Sequence, residues 1–335
     1  VPTLEDVAKR AGVSTATVSK VLSNTPYFTD ATRLKVMQAV QELGYVPNLA
    51  ARALSSGKTH IIAVVFPYVY EAIFTDPNIM NTLAGIEAEC TTQGYNILLS
   101  TPQLASDEPD THYQQLIQSG YLDGVIAIDS YPTASALKPV QEKGIPAVVI
   151  GYEACDYSVR HDDQAGGQKI MEHLIALGHT RFGLIEVPED TNYGVKYRSI
   201  GIRAAAEQAG LDYDSFPRTS GDWSTHSGSR CAAALLAQHP DVTALICYND
   251  RMAMGAIQQA RSMGRAVPGD LSITGYDDIP SAVLCDPALT TISQRSPEQG
   301  RIGARLLFEV LDGTHPDPVV LDPLLIARQS SAPRP

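Results

Sequence analysis

VAKRAGVSTATVSKVL (Val7–Leu22) reads as a helix, a glycine corner and a second helix. Thr3 is placed to cap the first helix, Leu4 to about Arg10, with Asp6 at the capping-box position. Leu4, Val7, Ala8 and Ala11 fall on one helical face. Gly12 admits a positive φ and breaks the helix, and Val13 can plug the corner. Ser14 then caps a second helix whose Val18, Val21 and Leu22 point inward, leaving Thr15, Ala16, Ser19 and Lys20 outside. A third helix, capped by Thr29 or Asp30, carries Val36, Ala39, Val40 and Leu43 as its apolar stripe and stops at Gly44. Three short helices, the first two joined by a tight glycine turn, make a helix-turn-helix pattern. On such a second helix the short hydroxyls of Ser14, Thr15, Thr17 and Ser19, with Lys20, reach phosphates and base edges in a major groove. An ordinary small helical subdomain is the competing reading.

Charge is distributed to match. The 335 residues carry a formal net charge of −12, yet residues 1–58 hold seven bases against four acids, a net +3 that leaves −15 on the remainder. A basic head on an acidic body suggests that only the head meets a polyanion. The opening VPTLEDV has neither a basic n-region nor an apolar h-region, so no secretory signal is expected. Nor does any run approach the ~20 apolar residues of a bilayer span. The five cysteines are scattered and form no CxxC pair, which speaks against a disulfide framework or zinc site and for a reducing cytoplasm. No metal or cofactor is expected.

After the head comes YVPNLAARALSSGKT (Tyr45–Thr59). Pro47 ends the preceding segment, Asn48 can cap, and LAARAL would form barely two turns, too few to be stable alone. This helix is expected to order only against a partner, with Ser55, Ser56 and Gly57 as a joint. GKT imitates the tail of a phosphate-binding P-loop, but Arg52 stands where that motif needs its first glycine.

TLEDVAKRAGVSTATVSKVLS followed by YVPNLAARAL resembles the headpiece and hinge of the lactose-repressor (LacI/GalR) family of bacterial transcription regulators. The resemblance implies that Thr15, Ala16 and Lys20 occupy the positions of base readers. It also implies that Leu54 is the leucine that wedges into the central minor-groove step and kinks the duplex. Ala16 can only touch a thymine methyl there or leave the base unread.

From residue 60 onward, apolar runs such as HIIAVVF, DGVIAID, RFGLIEV and TALICYN alternate with amphipathic helical stretches. That alternation predicts parallel sheets covered on both faces. The strands are too many for one comfortable sheet, so two doubly wound lobes with a cleft are expected. The fold class is therefore an all-α helix-turn-helix headpiece (1–46), a hinge helix and linker (47–59), and an α/β two-lobed effector-binding and dimerisation domain (60–335).

In such sheets ligands sit beyond the carboxyl ends of the strands. Asn249 and Asp250 follow TALICY, Asp277 and Asp278 follow SITGY, and Asp162 and Asp163 precede a glycine pair and a helix. Arg198 lies in a helical stretch expected to face the cleft, and the sole tryptophan, Trp223, sits in the loop SGDWSTHSG. The competing readings are Asn249 or Asp250 as the cap of the next helix, one of Asp277 and Asp278 as a turn residue, and Arg198 paired with a surface acid. Carboxylate, amide, guanidinium and a flat aromatic face suit the hydroxyls and apolar face of a sugar; a purine or nucleoside is the alternative.

The body also resembles the effector domain of the same family, which shares its fold with periplasmic sugar-binding proteins; HLIALGH, GDWSTHSG, YNDRMAMGA, ITGYDD and LTTISQ carry that resemblance. It implies effector contacts at Arg198, Trp223, Asn249 and Asp277, and less directly at Tyr68, Tyr70 and Phe74 in FPYVYEAIFTDP, which departs from the common pattern. LLIARQSSAPRP ends without a heptad-patterned tail, so a homodimer is expected. The expected function is a cytoplasmic repressor that binds pseudo-palindromic double-stranded operator DNA under control of a small sugar. A sugar-binding receptor without DNA function is the alternative. No complete P-loop, GxGxxG, GxSxG or HExxH is present, so no enzyme is expected.

Overall fold

Thr3 opens the first helix as the sequence suggests. Its side chain accepts from the Asp6 N–H while Asp6 returns a hydrogen bond of 2.8 Å from the Thr3 N–H, a full capping box. This comes from a computed structural model, which describes residues 2–22, 27–46, 57–66, 73–102, 110–128, 135–152, 154–188 and 193–334. Asn48, Leu54, Tyr68 and Tyr70 lie outside the described residues. The chain divides into two compact units, residues 1–59 and 60–335.

The first unit packs α1 (Leu4–Ala11), α2 (Thr15–Leu22) and α3 (Asp30–Leu43). Gly12 takes φ 68°, the left-handed conformation that lets the chain turn the corner between α1 and α2. Val7, Ala8, Val18, Val21, Val36 and Ala39 form the core, with Val13, Leu22, Val40 and Leu43 packed against it. Thr29, rather than Asp30, caps α3.

The second unit contains strands β1 (Ile61–Val65), β2 (Asn96–Ser100), β3 (Gly124–Ile128), β4 (Ala147–Ile150), β5 (Ser158–His161), β6 (Phe182–Glu186), β7 (Arg218–Ser220), β8 (Ala244–Cys247), β9 (Ser272–Thr274), β10 (Thr291–Ser293), β11 (Val319–Leu321) and β12 (Leu324–Ile326). Its helices are α4 (Pro77–Thr92), α5 (Thr111–Gln118), α6 (Lys138–Lys143), α7 (Asp163–Ala176), α8 (Tyr193–Gln208), α9 (Thr225–Gln238), α10 (Asp250–Ser262) and α11 (Ser296–Leu311). Two parallel sheets result, ordered β11-β5-β4-β3-β1-β2 and β7-β6-β8-β9, with β10 and β12 forming an antiparallel ribbon.

Alternation explains why the central strands are apolar throughout. Ile62, Val64, Ile126 and Val148 face one core with Ala304 and Leu307 of α11. Ala63, Val65, Val125 and Val149 face the other with Tyr113, Ile117 and Val140. The smaller sheet has its own core around Leu184, Leu245, Ile246 and Ile273. Each sheet with its helices is one lobe. Between the lobes the chain passes three times: from β5 into α7, from β10 into α11, and from β11 into β12. Isolated bridges at Thr274–Thr290 and Asp277–Ser293 hold the β10 segment to the second lobe.

Candidate functional site

In the head, Ser14 Oγ accepts from the Thr17 N–H at 3.1 Å and so starts α2 as a cap. Ser14, Thr15, Ala16 and Lys20 are exposed, while Thr17 and Ser19 are half-buried. Two bases of α1 are paired, Lys9 with Glu5 at 3.3 Å and Arg10 with Glu42 of α3. Among the described residues Lys20 has no carboxylate partner, so the outer face of α2 ends in an uncompensated positive charge.

In the body, a cavity of about 190 Å³ opens between the lobes. That is smaller than the ~300–1,000 Å³ typical of drug-sized ligands and suits a compact one. Arg198, Trp223, Asn249 and Asp277 all line it, with Asp163 beside them. Phe74 does not; it stands 56% exposed on a short 3₁₀ turn after the first strand.

The crossing of α7 and α8 brings Arg198 to the cavity. A Cβ on Gly167 would lie 2.2 Å from the Arg198 carbonyl oxygen, and one on Gly201 would lie 1.9 Å from that of Gln164. Only glycine at both positions lets the two backbones touch. At that contact, Arg198 Nη2 donates to Asp163 Oδ1 at 2.9 Å, and Nη1 donates to the Tyr248 carbonyl. The guanidinium lies 3.4 Å from the centroid of the Tyr276 ring. Its Nε finds no hydrogen-bond partner among the described residues. Arg198 thus pairs with a buried acid rather than a surface one.

His161 Nε2 lies 2.9 Å from the same Asp163 oxygen. Burial pushes the Asp163 carboxyl up, but His161 and Arg198 outweigh it and hold it below the usual range.

Asn249 is both cap and brace. Its Oδ1 accepts from the Met252 N–H at 2.9 Å, while Nδ2 donates to the Trp223 carbonyl at 3.0 Å. Trp223 is held at φ 70° and Asp277 at φ 118°, left-handed conformations that side chains adopt at a cost of ~1–3 kcal/mol. Asp277 accepts a hydrogen bond from Gln294. Burial and the nearby Asp250 raise its carboxyl well above the ordinary range.

Asp250 and Asp278 serve structure instead. Asp250 accepts from Thr291 Oγ1 and the Ile279 N–H, and Asp278 pairs with Arg328 at 2.6 Å. Asp162 caps α7 through the Ala165 N–H.

Several lining residues escaped the sequence reading. Asp76 caps α4 and reaches Arg251 of α10 at 3.4 Å, joining the two lobes. Asp-Pro at 76–77 was a legible helix start. Tyr152 follows β4, at a strand end, and Arg160 and His161 lie on β5, whose SVRH gives no apolar run. Gln294 and Gln299 come from the β10–α11 crossing; Gln294 ends the LTTISQ stretch, which was the signal that could have found it, whereas Gln299 has none.

Residues 3–48 match the bacterial regulatory proteins of the lacI family, and residues 171–331 match the periplasmic binding protein-like domain. CelR, an HTH-type transcriptional regulator of Thermobifida fusca, is 33% identical over 337 residues, covering 98% of both chains. The chain belongs to the lacI family of bacterial regulatory proteins. Among solved structures of this family, a CelR–cellobiose complex matches with a TM-score of 0.73 at 31% identity, over 99% of this chain and 100% of that one. The lac repressor dimer bound to operator and the anti-inducer ONPF matches with a TM-score of 0.85 at 26% identity, over 99% of each. As a lacI-family member the protein is a DNA-binding transcriptional regulator with a helix-turn-helix head and a periplasmic-binding-protein-like body. Family membership removes the alternative of a receptor without DNA function. No helix of the described residues is long and apolar enough to cross a membrane.

Proposed function

We propose that the protein is a homodimeric, cytoplasmic repressor whose hold on a pseudo-palindromic operator is set by a small sugar or sugar derivative between the lobes. The observation that carries this reading is the convergence of Arg198, Asn249, Asp277 and Trp223 on one cavity. A guanidinium and a carboxyl on the wall offer directional hydrogen bonds, and the indole offers a flat apolar face. The cellobiose held by CelR and the operator and dimer of the lac repressor support the same assignment by kinship.

On the DNA side, Ser14, Thr15, Ala16, Thr17, Ser19 and Lys20 form the major-groove face. The family resemblance extends the DNA contacts to Asn48 and Leu54, which lie outside the described residues. An effector moves the DNA equilibrium only by its differential affinity for the two lobe arrangements, typically ~1–3 kcal/mol. The protein binds its effector without turning it over; conversion of a bound sugar by purified protein would overturn that point.

Selection from a random duplex library, followed by anisotropy titration of the enriched site with and without sugars, tests the whole reading. Enriched sites should be palindromic and their affinity should respond to a sugar. Recovery of no preferred sequence would refute it. Lys20→Ala should weaken binding, with a salt slope shallower by about 1 if Lys20 meets phosphate or a relaxed base preference if it meets guanine. Unchanged affinity, slope and preference would remove α2 from the groove.

A further inference from the structure

Among the described residues two arginines line the cavity, and one of them has a carboxylate partner there. Arg198 is matched by Asp163. Arg160, half-buried on β5, has no carboxylate partner among the described residues. Its contacts are a long hydrogen bond of 3.5 Å to the neighbouring His161 carbonyl and the face of Tyr152, 4.7 Å from the ring centroid. Tyr152 in turn stacks on Tyr197 of α8, with centroids 4.7 Å apart and planes 18° apart. Arg160 is therefore the top tier of a three-layer stack that runs from the first lobe to the second.

The stack has a chemical consequence. Packing a guanidinium on an aromatic ring uses its flat face and leaves the N–H donors at its edge free, the arrangement that grips carboxylate or phosphate in two places. The acids on the wall are already engaged: Asp163 by Arg198 and His161, Asp76 by Arg251, and Asp277 by Gln294. A partly desolvated cation with no carboxylate beside it among the described residues is a favourable place for an anion that brings its own hydrogen-bond acceptors.

We propose that the effector is an acidic sugar, whose carboxylate or phosphate is bound by Arg160 while its hydroxyls meet the opposite wall. The proposal rests on the cavity being the effector site. Carboxylate and phosphate share this chemistry, and the test separates them.

Calorimetric titration of the full chain with glucose, galactose, glucuronate, galacturonate and glucose 6-phosphate compares each acid with its neutral counterpart. At least one acid should bind about tenfold tighter or more than its neutral parent, the gain expected from a charge-assisted hydrogen-bond pair. The uronate and phosphate arms identify which anion is meant. Arg160→Gln should bring that ratio close to one, whereas Arg160→Lys should retain part of it and shows that the fold survives at this position. Neutral sugars binding as tightly as their acids, or a ratio unmoved in Arg160→Gln, would overturn the proposal and leave the sugar reading standing. If neither neutral nor acidic sugars bind, the sugar reading falls and the proposal falls with it.

Discussion

At the scale of single residues, the site is held by charges that are buried together. Arg198 is 5% exposed and Asp163 is 1% exposed, so each depends on the other for its solvation. Arg198→Ala should therefore destabilise the body by ~3–5 kcal/mol, because it strands a buried carboxylate. Adding Asp163→Asn should recover part of that loss, and denaturant unfolding of the single and double variants reads the coupling. Asp250 behaves in the opposite sense. Burial raises its carboxyl to about 7, despite hydrogen bonds from Thr291 and the Ile279 N–H that work against the rise. Its folded form holds a proton that the unfolded chain releases near pH 4. That contribution to stability is complete below pH 4 and is lost as pH rises through about 7. Thermal melts should show this decline, and Asp250→Asn should flatten it; a wild-type melt unchanged between pH 5 and 8 would contradict the assignment.

At the scale of elements, the site depends on how closely helices cross. Gly167 and Gly201 face each other at the α7–α8 contact, and the pairs Gly85–Gly300 and Gly228–Gly255 do the same for α4–α11 and α9–α10. In each pair an added Cβ would meet backbone, not a yielding side chain. Gly201→Ala should push α8 from α7 and separate Arg198 from Asp163. We expect a loss of 1–3 kcal/mol from overpacking, together with weaker effector binding in a protein whose head still binds DNA. Normal effector affinity would show that the crossing does not position Arg198. The head was largely legible because its signals are local: the Thr3–Asp6 box, the Gly12 turn and the stripe on α3 each announce themselves within four residues. The long central strands were legible for a similar reason, since five apolar residues buried on both faces leave a continuous run. β5, β7, β10, β11 and β12 were not seen. They have three or four residues, and SVRH or RTS becomes a strand only because a neighbouring strand supplies its hydrogen bonds.

At the scale of the molecule, the cavity is built from the passages between lobes. His161 ends β5, Asp163 begins α7, and Gln294 lies between β10 and α11, so three of its polar groups stand where the chain changes lobe. This is why sequence reading reached the strand-end residues Asn249 and Asp277 but missed His161, Gln294 and Gln299. Their proximity follows from the order of the crossings, which the LTTISQ stretch ending at Gln294 does not itself reveal. The pair Asp76–Arg251 spans the same gap at 15–18% side-chain exposure, enough burial for a real coupling. Arg251→Ala should favour the open arrangement: solution scattering should give a larger radius of gyration for the body, and effector affinity should fall several-fold. A body of unchanged dimensions and affinity would mean that the ion pair carries no part of closure.

Trp223 is the only indole in the chain and stands on the cavity wall, its carbonyl tethered by Asn249. The protein consequently carries its own optical gauge. Intrinsic emission excited selectively at tryptophan reports this one compartment and nothing else in the polypeptide, so occupancy can be followed by light alone, without label or DNA.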